Sequence, residues 1–181
     1  MTDLLRNLSG DVRQYLLVTG NYWAFTLTDG ALRMLVVLHF HGLGYSPLQI
    51  AALFYEIFGV LTNLFGGYLG ARLGLNRTMN IGLGLQVAAL LMLTVPTAWL
   101  SIAWVMAAQA LSGVAKDLNK MSAKSSIKLL VPDSQQGTLY KWVAILTGSK
   151  NALKGVGFFL GAGLLALFGF THALLALAGV L

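Results

Sequence analysis

The chain of 181 residues has no cysteine, only three prolines and little charge, with Asp, Glu, Lys and Arg together making up 10%. The missing thiols exclude disulfides, thiolate metal centres and thiol capture of soft metal ions. The scarcity of charge excludes an ordinary soluble domain, because hydrophobic residues reach 57% and the mean hydropathy is +0.75, values that belong to a chain solvated by lipid. Residues 1–17 contain Asp3 and Asp11 and offer no small-residue cleavage site, so the first apolar run is expected to remain in the mature protein.

What charge there is leans positive, twelve basic side chains against six acidic ones. Nucleic acid is not needed to explain this excess, and none is expected as a partner. Arg6, Arg13, Arg72, Arg77, Lys116, Lys120, Lys124 and Lys128 all fall in segments that a single topology places on the cytoplasmic side of an inner membrane, as the positive-inside rule requires.

A bilayer core needs about 20 apolar residues per helix. The pattern predicts an all-α polytopic bundle with spans at about 22–40, 48–70, 78–95 and 97–114, then a long run over about 137–170. A last apolar run begins near Ala173 and stops with Leu181. Pro96 should end the third helix, because it lacks a backbone donor and restricts Val95, and Trp99 stands where an interfacial anchor is expected. The run at 137–170 exceeds one crossing, so 137–147 is expected to project from the cytoplasmic surface or lie along it. The short sixth run predicts five full spans and a sixth that is cut off. With the N-terminus inside, the loops around Arg72 and Lys120 fall inside, and those around Gly44, Pro96 and Phe170, which carry no Lys or Arg, fall outside.

Polar residues inside these runs point to function, since an intramembrane ion pair is costly and usually faces a protein interior or a wet cavity. Tyr22, Thr26, Asp29 and Arg33 follow the spacing of one helix face. Arg33 stays charged and can fork two donors onto phosphate, arsenate or carboxylate, while Asp29 holds it until substrate arrives. The competing reading is mutual neutralisation that merely permits insertion. Glu56, Gly59, Asn63, Gly66 and Gly70 form a second stripe. There Glu56 is a candidate proton-coupling site, because burial raises a carboxyl pKa, or else an interhelical hydrogen-bond partner.

Lys150, Asn151 and Lys154, followed by Gly157 and Gly161, share one side of the fifth run. Two lysines a turn apart repel each other, and an anion or a nearby carboxylate would relieve them. Snorkelling to the interface is the alternative, most readily for Lys141. Lys116, Lys120, Lys124 and Lys128 recur every fourth residue. They read as a basic face against anionic headgroups, or, more sharply, Lys116 and Lys120 as the inner mouth of an anion path. His39 and His41 flank the outer end as wet polar tips or, less simply, metal ligands. No catalytic constellation, metal motif or cofactor loop is visible, so an enzyme is not expected and neither is a cofactor.

From Gly66 the sequence reads GGYLGARLGLNR, which resembles the loop between the second and third helices of major facilitator carriers, commonly GxxxDRxGRR. Gly67, Arg72 and Gly74 match in register, Ala71 replaces the usual aspartate, and Leu75 and Asn76 replace the next basic pair. The stretches NYWAFTLTDGALRMLVVLHF, FYEIFGVLTNLFGGYLGARLGLNRTMNIGLGLQ, SGVAKDLNKMSAKSSIKLLVP and GTLYKWVAILTGSKNALKGVGFFLG look like the organoarsenical efflux permeases of that superfamily, the ArsJ family. The resemblance covers nearly the whole chain, as the N-terminal six-helix half of a twelve-helix carrier whose C-terminal half is missing.

It implies export of 1-arseno-3-phosphoglycerate in arsenate resistance, with a functional link to the glyceraldehyde phosphate dehydrogenase that makes this ester. The substrate-binding candidates are then Arg33, Lys150, Asn151 and Lys154, and the coupling or gating candidates Asp29, Glu56 and Arg72. A major facilitator carrier for another organic anion or a drug, and a non-transporting membrane scaffold subunit, are the alternatives.

Overall fold

The computed structural model describes residues 10–53, 68 and 72–181, and among them the regular structure is entirely helical. The elements are α1 (Gly10–Gly42), α2 (Pro47–Leu53), α3 (Leu75–Met92), a 3-10 turn at Thr97–Trp99, α4 (Ile102–Leu130), a second at Asp133–Gln135, and α5 (Gln136–Val180). Glu56, Gly59, Asn63, Gly66, Gly67, Gly70 and Ala71 lie outside the described residues.

The boundaries follow local chemistry. After α1 the Tyr45 amide donates to the Phe40 carbonyl and the Gly44 amide to His41, with Gly44 at φ 86° and Tyr45 edge-on to Phe40, the glycine-dependent Schellman closure with its apolar contact. The next helix begins at once with a reciprocal cap: the Ser46 amide donates to Gln49 Oε1, the Gln49 amide to Ser46 Oγ, and Pro47 takes the first helical position. Helix α3 ends at Met92, just before Pro96 as expected, and the Trp104 indole donates to the Met92 carbonyl at 2.7 Å. Ser101 caps α4 by accepting from the Trp104 amide.

One span differs from the sequence reading. The fourth helix starts at Ile102 rather than Thr97, and it continues through the lysine-rich stretch to Leu130, because the four-residue lysine spacing is itself a helical face. The long fifth run and the short sixth are two helices that part at Gly169, beside the break expected at Phe170; its φ of 73° and ψ of 176° are non-helical and suit glycine alone.

Contacts along the helices fix their directions. Tyr15 stacks on Trp142, the Trp23 indole donates to Ser149 Oγ at 2.8 Å, Gly30 abuts Lys154 and Gly157, and His39 stacks on Phe170, so α1 and α5 run parallel. Gln14 meets Asn76 at one end while Phe40 and Leu93 share a core at the other, so α3 runs the same way. Helix α4 runs opposite, since Trp104 meets Met92, Ser112 meets Gln86 and Asn119 meets Gly82. The turns at 43–46, 93–101 and 169 therefore gather at one end. The start of α1, residues 72–77 and the α4–α5 junction gather at the other, which carries Arg13, Arg72, Arg77, Lys124, Lys128 and Lys141.

Each end has its own apolar cluster. At the end without Lys or Arg, Leu32, Leu35, Val36, Phe40, Leu90, Leu93, Val105, Leu174 and Leu177 pack together. Near the basic end Tyr15, Val18, Tyr22, Met79, Ala123, Ile127 and Leu146 do so, with Trp142 and Val143 against them. Residues 137–147 accordingly pack beside the first turns of α1 and prolong the bundle, rather than lying flat alone.

Among the described residues, one helix, α5, is long and apolar enough to cross a membrane by length and composition, and only 17% of its most apolar window is buried. A soluble core helix would be mostly buried. Phe159, Leu167, Phe168 and Val156 stand outward on it. Helices α1 and α4 have the length, about 50 and 44 Å at 1.5 Å per residue, but their apolar runs are interrupted by Asp29 and Arg33 and by the lysine ladder.

Candidate functional site

Between the two apolar clusters lies a polar layer. Tyr22, Thr26 and Asp29 are buried, so the α1 stripe packs into the protein, and Thr26 turns its hydroxyl back to donate to the Tyr22 carbonyl. Asp29 Oδ1 stands 3.5 Å from Arg33 Nε, with the two side chains 7% and 21% exposed. A pair this deep persists because each charge offsets the desolvation of the other.

This level of α1 is where α5 crosses most closely. A Cβ on Gly30 would press on the Lys154 carbonyl, one on Gly157 would press on the Leu27 carbonyl, and one on Gly161 would strike the Ala31 carbonyl. In lipid, apolar contact between helices gains little, so close backbone approach at small residues is what holds such helices together. The crossing places the Lys154 backbone against Gly30, the residue that follows Asp29. Lys154 Nζ lies 5.9 Å from the centre of the Phe158 ring, and Phe158 with Arg33, Met34 and Val37 walls an open pocket of about 220 Å³. Arg33 and Lys154 thus border the same aromatic ring from two helices. Lys150 is half-buried one turn toward the basic end, and Asn151 beside it is exposed.

On the α3–α4 side, Ser112 Oγ donates to Gln86 Oε1 at 2.7 Å, and Asn119 donates to the Ala115 carbonyl while resting on Gly82. Gln86 and Asn119 are fully buried, and Gln86 Nε2, Gln109 Nε2, Asn119 Oδ1 and Ser122 Oγ have no hydrogen-bond partner among the described residues. Buried amides and hydroxyls of this kind are normally satisfied, so this layer suits polar contents better than a dry core.

Arg72 lies far from this layer, at the basic end, with its guanidinium 4.9 Å from the Tyr68 ring centre. Gly74, two residues on, takes φ 83° at the start of α3, a conformation that favours glycine. Glu56 is outside the described residues. His39 is stacked at 3.8 Å on Phe170, while His41 is exposed, so the two rings point to different surroundings.

Sequence reasoning placed Asp29, Arg33, Lys150 and Lys154 in the middle of their helices and paired the first two. It did not identify Gly30 as the partner of Gly157, nor Phe158 as the ring that lies near Lys154 and lines a pocket with Arg33. The i, i+4 spacing of Gly157 and Gly161 was the available signal for a close crossing, but periodicity does not say against which helix. No family model matches this chain, and no curated protein matches it either.

Proposed function

We propose that this chain is part of a multi-pass inner-membrane carrier of the major facilitator type, with its N-terminus in the cytoplasm, that exports an anionic organoarsenical by alternating access. The observation that carries the reading is the buried Asp29–Arg33 pair at the level where α1 and α5 touch and where Lys154 sits. Intramembrane charge on this scale marks a substrate or ion path. The common direction of α1, α3 and α5, opposed by α4, and the gathering of basic residues at one end suit helices threaded alternately across a bilayer.

In this reading an incoming dianion draws Arg33 from Asp29 and is held between the guanidinium and the Lys154 ammonium. Arg33 supplies paired donors and Lys154 a point charge. Asp29 and Glu56 are the two candidates for coupling. The resemblance of the sequence names the cargo as 1-arseno-3-phosphoglycerate, supplied by a glyceraldehyde phosphate dehydrogenase.

The apolar walls of Met34, Val37 and Phe158 beside Arg33 favour, as a second reading, an organic anion with a hydrophobic part. Arsenate challenge of cells carrying the dehydrogenase separates the two. Cells that also carry this protein should hold less arsenic than cells without it, and an unchanged arsenic content with retained efflux of an amphipathic anion would support the second reading.

A further inference from the structure

At the basic end, the start of α1, residues 73–77 and the last turns of α4 wall an open pocket of about 430 Å³. It is separate from the Arg33 layer, since Gln14 on its wall lies about 28 Å back along α1 from Arg33 at 1.5 Å per residue.

The polar part of the lining consists of donors. No side chain caps α3, and the first bond of its ladder runs from the Thr78 amide to the Gly74 carbonyl. The Leu75, Asn76 and Arg77 amides therefore stand at the helix end without helical partners. Gln14 donates to Asn76 Oδ1 at 3.3 Å, which ties α1 to α3 and leaves the Asn76 amide nitrogen free to donate. The Arg77 side chain belongs to the same wall, and α4 contributes Ser126. Ser126 is 7% exposed, and its hydroxyl has no hydrogen bond among the described residues.

No carboxylate lines this pocket, and among the described residues Arg77 has no ion pair. Asp11, one turn before Gln14, is exposed and stands outside it. A guanidinium, the positive end of a helix dipole and its open amides all favour an occupant of one sign, and a buried hydroxyl without a partner calls for an acceptor. The remaining wall is apolar, with Leu73 and Leu129 41% and 79% exposed. We propose that this pocket is a phosphate site, in which Arg77 and the α3 amides donate to the phosphate oxygens together with the Ser126 hydroxyl. The outward leucines favour a phosphate that carries acyl chains, an anionic phospholipid, over a soluble phosphate ester, because chains would cover them. The site does not depend on transport, and its failure would leave the Arg33 layer untouched.

The test follows thermal unfolding of the purified full chain in dodecyl maltoside against added phosphatidylglycerol, phosphatidylcholine or glycerol 3-phosphate, since a ligand of the folded state raises the midpoint. Phosphatidylglycerol should act at about tenfold lower concentration than phosphatidylcholine, whose phosphate is balanced by a positive charge, and Arg77→Ala should abolish that preference. Ser126→Ala should weaken phosphatidylglycerol about threefold. Both variants should unfold at the parent's midpoint without ligand, because Arg77 is exposed and the Ser126 hydroxyl bonds nothing that folding would lose. Arg13→Ala and Lys128→Ala, at the same end but off the pocket, should keep the preference.

A glycerol 3-phosphate response that Arg77→Ala and Ser126→Ala both lose would support the site with a soluble ester as its occupant. Retention of the preference in Arg77→Ala overturns the proposal. Equal losses in Arg13→Ala and Lys128→Ala do so too, since they would mean diffuse attraction to the whole basic end, as does the absence of any response to both anionic probes.

Discussion

Gly161 of α5 rests directly on the backbone of Ala31 in α1, so closely that a Cβ would strike the Ala31 carbonyl. That contact and its neighbour at Gly157 hold Lys154 at the level of the Asp29–Arg33 pair, and the candidate site depends on them.

Gly157→Ala and Gly161→Ala should each lower stability by about 1–3 kcal/mol through overpacking of a close crossing. Gly155 and Gly163 lie on the same helix with open space around them, and their alanine variants should be neutral or gain up to about 1 kcal/mol from helix propensity. Thermal unfolding in one detergent would compare all four. Equal effects at crossing and open positions would mean that the helices do not meet at this face.

The ion pair should respond asymmetrically. Asp29→Leu leaves Arg33 without its carboxylate and should cost about 2 kcal/mol, below the 3–5 of a fully buried pair because the Arg33 side chain is 21% exposed. Asp29→Leu with Arg33→Leu should recover most of that stability while flux stays lost. A double variant that transports would make the pair a device for insertion only.

Gln86 is fully buried, and among the described residues its side chain has one hydrogen bond, from Ser112. Ser112→Ala should cost about 1–3 kcal/mol by stranding the amide, and adding Gln86→Leu should restore part of the loss. Chemical denaturation of the single and double variants measures the coupling, and additive losses would contradict a direct bond.

The native absence of cysteine makes single-cysteine mapping direct. Leu43→Cys and Trp99→Cys should react with an impermeant thiol reagent from outside the cell, and Leu129→Cys and Tyr140→Cys only from inside. All four positions are exposed and fall in two pairs at opposite ends of the bundle. Labelling of all four from one side would refute the alternating topology.

Much of this architecture could be read from apolar runs and their punctuation. Pro96 marked the end of α3, and the 43–47 turn carried its glycine, serine and proline in cap order. The fourth helix was begun too early because Thr97, Ala98 and Trp99 are apolar enough to extend a hydropathy window, whereas the chain needs a 3-10 turn there before Ser101 can cap. The break after the fifth run was placed at Phe170, one residue past Gly169, whose non-helical φ makes it. Within the site, spacing along one helix revealed Asp29 with Arg33 and Lys150 with Lys154.

The most direct test is uptake by everted vesicles from cells expressing this protein, with 1-arseno-3-phosphoglycerate generated outside them from arsenate by a glyceraldehyde phosphate dehydrogenase. Arsenic should accumulate in parent vesicles above those lacking the protein and fall at least about tenfold in Arg33→Ala and Lys154→Ala, the loss of one charge-assisted contact. Parent-level accumulation in both variants, or none in the parent, would contradict the account.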